Sequence, residues 1–480
     1  MKHKTLGQVY TPRWIVDLIL DEVEYKGEKI LEKRIIDPAC GDGAFLTVIV
    51  ERILNELKKK GSSFDEIKKT LEDKVYGIEI DREEYLKCIN NLNLTVKKII
   101  NEELDIRWKV FNGNTLTHYK KFLNFFDFVV GNPPYIRVHN LDADTRKILK
   151  DNFRFSKGTI DIYVAFFELG VEMLKDNGIL GYITPNSFLR NSSYEDFRMF
   201  LRKKRAVKTL IDFKSNKVFD GFATYTAITI ISLNNQRDYF DYKELVNGEI
   251  KKINEIKYCD LTDKIWSFGS KSEVLFIKNI HKNTIYKVSD LFEVQYGFAT
   301  LRDKIFIGSI SKEEDGLVLF NDFWIEKNIL RKIVKGSTYK GSEKQIQYII
   351  FPYVKVNGKF IPMEEKQLQT QFPMAYKYLL LHKDELLKRN LEKNSVWYGF
   401  GRSQGLQNCH KEKIVVSPLL KDKINFYFLQ EDVYVYSGIF ITKKKKEYSF
   451  DLIKDILSSD EFKRYAMIKG KDLALSLIHI

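Results

Sequence analysis

The sequence predicts an α/β protein in which helices cover both faces of a doubly wound, mostly parallel sheet. Two observations indicate this class. Short apolar runs typical of buried strands alternate with helical periodicity over the first half of the chain. Several of these runs end in small or polar residues, as expected where open sheets bind ligands at the carboxyl ends of their strands. The 480 residues are enough for two or three domains with their own cores.

The most informative strand is the apolar run at 126–131, which ends abruptly in Asn132, Pro133, Pro134 and Tyr135. Two prolines stop a strand and fix the local backbone, and Pro133 favours an extended conformation at Asn132. An amide and an aromatic ring are therefore predicted to lie rigidly at the end of a strand. A plain rigid turn would explain these four residues taken alone, but the motifs that precede them favour a functional site.

The 132–135 motif suits chemistry on an aromatic amine. The side-chain oxygen of Asn132 and the backbone oxygen of Pro133 can each accept one hydrogen of the exocyclic amine of adenine, which frees the nitrogen lone pair for attack. Tyr135 offers a flat face on which a planar base can stack. If the methyl donor is a sulfonium, its leaving group is excellent and no strong general base is required.

Further ligand-binding candidates lie earlier in the chain. Gly41 and Gly43 belong to a small-residue loop between a short strand and a helix predicted at 45–59, where glycine lets the backbone approach a ligand closely. Asp37 at the tip of that strand suits an ammonium group better than phosphates. Glu79 ends the second strand, where an acidic residue usually binds ribose hydroxyls, whereas Asp81 is expected to cap the next helix.

Composition restricts the partners and the compartment. The net charge of +14 indicates a polyanionic partner, most simply nucleic acid, although a lysine-rich proteome could explain half of the excess. The four cysteines are far apart without a CxxC pair, which argues against a zinc site or a disulfide framework and fits a reducing cytosol. No apolar run approaches the ~18 residues of a membrane span, and the first residues do not resemble a signal peptide. We therefore expect a cytoplasmic protein with no membrane partner.

In their order along the chain, these motifs resemble the gamma-type, TaqI-like adenine-N6 DNA methyltransferases of restriction–modification systems. The resemblance covers about residues 7–235. It implies S-adenosylmethionine as the cofactor, double-stranded DNA as the substrate, and no catalytic metal, because the donor itself supplies the electrophile. It implies catalytic roles for Asn132, Pro133 and Tyr135, and it places Phe219 with Tyr135 against a flipped-out adenine.

The same resemblance implies a set of cofactor-binding residues, namely Tyr10, Thr11, Pro12, Asp37, Ala39, Gly41, Gly43, Glu79, Ile80, Asn114, Asn132 and Pro134. Thr11 is also predicted to cap a helix whose first residue is Pro12. Asn114 departs from the family, which usually has aspartate at this position. Because an amide can still accept a hydrogen bond from the cofactor adenine, we expect weakened rather than absent binding.

The sequence predicts four segments: a catalytic domain at 1–240, a connecting segment at 241–285, a target-recognition domain at 286–446 and a C-terminal helical segment at 447–474. From residue 288 the pattern changes to short β segments with interleaved basic and aromatic residues, which resembles the target-recognition domain of the same family. Lys335 and Lys340 are candidates for phosphate contacts, and Arg402 and Gln404 are candidates for base contacts. Bracing of a loop is an equally good interpretation of Arg402 and Gln404.

The last six residues, 475–480, can be back-translated as the transposon-end adapter of sequencing libraries, so we expect the natural chain to be longer. For the whole chain, the sequence predicts a site-specific adenine-N6 methyltransferase that protects DNA in a restriction–modification system. The alternatives are a bifunctional restriction–methylation enzyme, for which we find no convincing nuclease motif, and an inactive DNA-specificity subunit, which the intact 132–135 motif disfavours. A separately encoded cognate restriction endonuclease is a candidate partner.

Overall fold

The computed structural model describes residues 11–156, 161–214, 216, 218–219, 225–262, 265–393, 395–416 and 424–469. The chain divides into two compact units, Met1–Val274 and Leu275–Ile480. Within the described residues, no helix combines the length and the apolar character needed to cross a membrane.

One nine-stranded sheet forms the centre of the first unit. Its strands are β1 (Ile35–Asp37), β2 (Val75–Glu79), β3 (Lys109–Asn112), β4 (Phe126–Gly131), β5 (Leu174–Pro185), β6 (Val207–Asp212), β7 (Thr226–Ile231), β8 (Tyr239–Val246) and β9 (Glu249–Lys257). Their order across the sheet is β3-β2-β1-β4-β5-β7-β6-β8-β9. Five of the eight neighbouring pairs are parallel, which confirms the predicted mostly parallel sheet. The strand order reverses between β1 and β4, and such a switch point opens a crevice at the carboxyl ends of the strands.

Helices cover both faces of this sheet. They are α1 (Arg13–Glu22), α2 (Ala44–Lys60), α3 (Phe64–Lys74), α4 (Arg82–Ile100), α5 (Thr115–His118), α6 (Ala143–Asn152), α7 (Tyr163–Met173) and α8 (Glu195–Lys203). Helix α9 (Lys271–Asn283) includes the boundary between the two units and has no buried residue. Apolar residues of α1 and α2 pack in one core with Val130, whereas those of α7 pack in a second core with Val129. Because successive strand residues point to opposite faces, these two cores lie on opposite sides of the sheet. The doubly wound arrangement is thereby confirmed.

The sheet continues past residue 240, where the sequence predicts the end of the catalytic domain. β8 pairs with β6 in parallel, and β9 pairs with β8 as a hairpin. Trp266 and Phe268 then pack against Phe240 in the same core. The predicted boundary is therefore too early, because much of the segment at 241–285 completes the first unit instead of connecting two domains.

Short strands in several small sheets build the second unit. The strands are β10 (Phe292–Tyr296), β11 (Ile307–Gly308), β12 (Ile310–Glu314), β13 (Leu317–Phe320), β14 (Phe323–Glu326), β15 (Leu330–Lys335), β16 (Gln347–Ile350), β17 (Tyr353–Val356), β18 (Lys359–Pro362), β19 (Lys413–Val416), β20 (Phe426–Leu429), β21 (Val433–Tyr436) and β22 (Ile439–Lys443). Two four-stranded sheets have the orders β10-β22-β19-β20 and β11-β16-β15-β21, and the other strands form a three-stranded and a two-stranded sheet.

The helices of the second unit are mostly short. They are α10 (Val288–Leu291), α11 (Asp303–Phe306), α12 (Glu365–Gln371), α13 (Pro373–Leu381), α14 (Lys383–Leu387), α15 (Phe450–Ser458) and α16 (Asp460–Lys469). This mixed α/β architecture agrees with the fold class predicted for the second half. The last two helices fall within the predicted C-terminal helical segment, and residues 475–480 lie outside the described residues.

Candidate active site

A cavity of about 230 Å³ opens where β1, β2 and β4 end. Parallel strands bring their carboxyl ends to one edge of a sheet, so loops that are far apart in sequence meet there. Most of the predicted cofactor and catalytic residues form its wall, namely Thr11, Asp37, Ala39, Gly41, Glu79, Ile80, Asn114, Asn132, Pro133 and Pro134.

Four predicted residues are described but do not line the cavity: Pro12, Gly43, Tyr135 and Phe219. Gly43 has a packing role instead. It precedes α2 with a left-handed backbone at φ +93°, and a Cβ there would approach the Cys88 sulfur to 2.9 Å. Tyr10, also predicted to bind the cofactor, lies outside the described residues.

The rings of Tyr135 and Phe219 contact each other. Their ring centroids are 6.5 Å apart with an interplanar angle of 69°, and only 3% of Phe219 is exposed. The Tyr135 hydroxyl donates a hydrogen bond of 3.3 Å to the backbone oxygen of Ile183. Burial raises the pKa of Tyr135 well above its usual value, so the phenol stays neutral. The two rings therefore form an edge-to-face contact.

Asp37 is a buried carboxyl group at the tip of β1. It accepts a hydrogen bond of 3.0 Å from the backbone N–H of Ala39, and 2% of the residue is exposed. Burial raises the pKa of Asp37 to about 8, and the nearby Glu79 adds to this increase. A Cβ at Gly131 would come within 2.5 Å of Asp37 Oδ1, so only glycine fits where β4 passes this carboxyl group.

The Glu79 carboxylate accepts hydrogen bonds from the loop that follows β1 and from the residues that follow β2. Its Oε2 accepts a hydrogen bond of 2.8 Å from the Gly41 N–H, and its Oε1 accepts one of 2.8 Å from the Asp81 N–H. Burial raises the pKa of Glu79. Asp81 caps α4 through the amides of Glu83 and Glu84, which confirms its predicted capping role. At Gly41, with φ +54°, an added Cβ would meet nothing within 4 Å, so the loop leaves open space beside the carboxylate.

Asn132 is joined to the first loop of the chain. Its side-chain Nδ2 donates a hydrogen bond of 3.1 Å to Thr11 Oγ1. The predicted capping role of Thr11 is wrong, because α1 begins at Arg13 and Pro12 occupies the N-cap position. The Thr11 hydroxyl instead fixes the orientation of the Asn132 amide by accepting from its NH₂ group.

Asn114 caps the short helix α5. Its Oδ1 accepts a hydrogen bond of 3.0 Å from the Leu116 N–H, and the residue also lines the cavity. Because one lone pair of this oxygen is used by the cap, one remains for a ligand.

The cavity also has walls that the sequence did not predict. Apolar side chains from the region after the 132–135 motif form one side, namely Ile136, Leu141, Ile162 and Phe166, with Asp142 and Thr145 beside them. Asp42 and Glu84 complete the other side. Ile162 and Phe166 have the helical apolar spacing that is typical of a core-facing helix, so the sequence carries no separate signal for their contribution to a cavity.

The candidate DNA-binding residues all lie in the second unit. Lys335 and Lys340 are exposed. The Arg402 guanidinium donates to the backbone oxygens of Asn390 and Gly401, each at 2.7 Å, and the Gln404 side chain donates to the Gly297 oxygen at 3.4 Å. These contacts support the loop-bracing interpretation of Arg402 and Gln404.

The described residues contain no group of three or more histidine, cysteine, aspartate or glutamate side chains placed to hold a metal ion.

Comparison with known proteins relates this site to a family. The sequence model of the family described as "Eco57I restriction-modification methylase" matches residues 46–219, from α2 to the loop that carries Phe219. The resemblance to restriction–modification methylases is confirmed. The matched segment contains Glu79 at the end of β2, Asn114 after β3, and Asn132, Pro133 and Pro134 after β4, all of which line the cavity.

Three curated relatives agree with this match. The chain is 26% identical to the type II restriction enzyme and methyltransferase RM.Eco57I of Escherichia coli, over 98% of the chain and 55% of the relative. It is 31% identical to the type II methyltransferase M.BstVI of Geobacillus stearothermophilus, over 53% of the chain and 46% of the relative. It is 25% identical to M.BanIII of Aneurinibacillus aneurinilyticus, over 95% of the chain and 84% of the relative. The chain thus spans about half the length of the first two relatives.

Solved structures share the fold. The type IIL restriction-modification enzyme MmeI, solved in complex with DNA, superposes with a TM-score of 0.61 at 14% identity, over 96% of this chain and 64% of that one. The DrdV–DNA complex gives a TM-score of 0.52 at 13% identity, over 93% of this chain and 50% of that one.

Proposed function

We propose that this chain is a site-specific DNA methyltransferase that transfers a methyl group from S-adenosylmethionine to the N6 amine of adenine, and that it protects DNA in a restriction–modification system. One observation carries the proposal: Asn132 and Pro133 share a single cavity with Asp37, Gly41 and Glu79. A candidate amine-binding group thus lies beside a candidate cofactor site. The family match supports the same activity.

The cavity wall fits S-adenosylmethionine. Asp37 is buried, and no lysine or arginine within the described residues pairs with it, so an ammonium group of the ligand would supply the missing positive charge. Glu79 suits the ribose hydroxyls, and the space beside Gly41 admits a ligand close to the backbone. Apolar side chains such as Ile80 and Phe166 suit a purine ring. When bound, the cofactor supplies a sulfonium methyl group that is electrophilic.

The residues of the chain then prepare the target amine. Asn132 Oδ1 and the Pro133 carbonyl accept its two hydrogens, and Thr11 holds the Asn132 amide in the required orientation. Tyr135 and Phe219 contact the faces of an adenine that has left the duplex, since the amine is inaccessible within the stack. Insertion of the base would open the contact that these two rings now make with each other.

Binding and selection of DNA are assigned to the second unit. Residues 286–446 would form the target-recognition domain, with Lys335 and Lys340 contacting phosphates and the loop of Arg402 and Gln404 facing bases. Because Arg402 has five N–H donors, its two backbone contacts leave donors for a base edge.

The test is methylation of DNA from a methylation-deficient host by the purified chain with S-adenosylmethionine. Nucleoside mass spectrometry should detect N6-methyladenine, and long-read sequencing should place it in one recurring motif. Asn132→Ala should lower turnover by about 100-fold or more while leaving cofactor affinity largely unchanged. Asn152→Ala is the matched control, because this asparagine is exposed at the end of α6 and should have no effect.

Each part of the proposal can fail separately. Modification of cytosine alone would overturn the adenine assignment, and unchanged turnover in Asn132→Ala would refute the role of this amide. Cleavage of unmethylated DNA by the pure chain would show a restriction activity in the same polypeptide.

A further inference from the structure

Glu84 is a buried carboxyl group on the cavity wall to which the sequence motifs assign no role. It is the third residue of α4, only 2% of it is exposed, and it lines the cavity beside Ile80 and Asp42. Its Oε1 accepts a hydrogen bond of 2.7 Å from Lys87 Nζ. Its Oε2 is shielded from solvent and has no hydrogen-bond partner among the described residues.

The helix does not need this carboxylate. A glutamate at the third position usually reaches back to the backbone N–H of the N-cap residue and forms a capping box. Here the N–H of the N-cap residue, Asp81, already donates to Glu79 Oε1 at 2.8 Å. The Asp81 side chain meanwhile accepts from the amides of Glu83 and Glu84. The cap is complete without the Glu84 side chain.

An unpartnered carboxylate oxygen in a buried place lowers stability unless something binds to it. Two other carboxyl groups, those of Asp42 and Glu79, also line this cavity. The pKa of Asp42 is raised, mainly by burial and secondly by the negative charge of Glu84. The Glu84 carboxylate therefore lies near the loop between β1 and α2, which carries Asp42. A ligand at this end of the cavity should therefore present hydrogen-bond donors and no negative charge.

We propose that Glu84 is a further cofactor-binding residue whose Oε2 accepts a hydrogen bond from a ribose hydroxyl of S-adenosylmethionine. This inference rests on the proposed function. It means that two carboxylates, Glu79 and Glu84, bind the hydroxyls of the ribose. Both oxygens of Glu79 already accept a backbone N–H, from Gly41 and from Asp81, whereas Glu84 Oε2 is uncommitted. The ribose has two neighbouring hydroxyls. One can donate to Glu79 and the other to Glu84 Oε2.

The test is calorimetric binding of S-adenosylhomocysteine to the full chain, without any methylation assay. Glu84→Ala should weaken binding by about 10- to 100-fold, the effect expected for a hydrogen bond to a charged group. Glu83→Ala is the matched control, because Glu83 is an exposed glutamate in the same helical turn and should change affinity by less than about twofold. Glu84→Gln keeps the volume and serves if the alanine variant unfolds, with an expected loss of about three- to tenfold.

Analogues of the ligand identify the contact. The 2′-deoxy and 3′-deoxy forms of S-adenosylhomocysteine each lack one hydroxyl. For one of them, the wild type and Glu84→Ala should bind with nearly equal affinity, because the group that Glu84 contacts is gone. The inference is overturned if Glu84→Ala binds as well as Glu83→Ala, or if its loss persists with both analogues. Failure of the wild type to bind S-adenosylhomocysteine would instead overturn the proposed function, and the inference with it.

Discussion

At the scale of single residues, the site depends on polar groups whose partners are already fixed before a ligand binds. Glu79 is held by two backbone amides, and Asn132 is held by Thr11. Asp37 is the exception, because a single backbone amide accompanies a buried carboxyl group. The fixed groups define the geometry of the cavity, whereas the Asp37 carboxyl group has a raised pKa because it is buried.

Cofactor binding should therefore depend on the protonation of Asp37. Since burial raises its pKa to about 8, the ligand-free carboxyl group is protonated below that pH, and a cationic ligand must displace the proton. Affinity should rise with pH by at most about tenfold per unit between pH 6 and 8 and level off above. The variant Asp37→Asn lacks the titrating carboxyl group, whereas the amino group of the ligand still titrates. The ratio of the wild-type affinity to the variant affinity therefore reports the protonation of Asp37 alone. A ratio that stays constant from pH 6 to 9 would contradict the assignment.

Thr11 is expected to act as a positioning residue. Thr11→Val removes the acceptor for the Asn132 NH₂ group and keeps the shape of the side chain. The amide could then rotate, so we expect kcat to fall by about tenfold with a smaller change in KM for DNA. Thr11→Ser retains the hydroxyl and should restore most of the activity. Equal kinetics in the valine and serine variants would show that the hydroxyl has no such role.

At the scale of elements, loops are held by side chains that reach backbone carbonyl groups. In the second unit, the buried Arg389 guanidinium and Nε donate to the backbone oxygens of Leu386, Thr300, Gly399 and Trp397. The same guanidinium lies 5.2 Å from the ring centroid of Phe306. One arginine therefore joins the end of α14 to the segment that leads to Arg402.

Loss of this arginine should destabilise the second unit. Arg389→Met would leave several buried carbonyl oxygens without a donor, and we expect the free energy of unfolding to fall by about 3 kcal/mol. Scanning calorimetry of the full chain should show a lowered transition temperature. Lys388→Met is the control. Lys388 is the exposed neighbour of Arg389, so its replacement should change the stability little. An unchanged transition in Arg389→Met would mean that water replaces these hydrogen bonds at no cost.

At the scale of the whole molecule, the net charge of +14 favours a polyanionic partner. Nonspecific affinity for DNA should then fall steeply with salt, because each phosphate contact releases a bound counterion. Many lysines and arginines of the chain are engaged in ion pairs, so only the uncommitted ones should contribute to this dependence.

Lys335 and Lys332 offer a matched comparison on strand β15. They are three residues apart and therefore point to opposite faces, both are exposed, and Lys332 pairs with Asp432 at 2.8 Å. Lys335→Ala should weaken DNA binding and lower the slope of log affinity against log salt by about 1, whereas Lys332→Ala should not. Fluorescence anisotropy with duplex DNA at several salt concentrations measures both slopes. Equal slopes in all three proteins would remove Lys335 from the DNA interface.

Local sequence patterns were sufficient to predict the fold class of the first unit and the edge of the sheet at which the candidate site lies. Apolar runs that end in Asp37, Glu79 and Asn132 predict parallel strands, and parallel strands bring these ends to one edge. The chemistry of this edge follows from residues within a few positions of each strand end. Local sequence is sufficient there because a strand and its loop fix the direction of the side chains that follow.

Which side chains contact each other depends on the tertiary structure. The Thr11 hydroxyl accepts a hydrogen bond from an amide that is 121 residues away, and a Cβ at Gly43 would come too close to a cysteine of α4. Glu84 lines the cavity, and the backbone N–H to which a glutamate at its position usually binds donates to Glu79 instead. The extension of the sheet by β8 and β9 likewise depends on pairing with β6. Most of these contacts join residues that are far apart in the sequence, and the local sequence around each residue does not specify which distant residue it will contact.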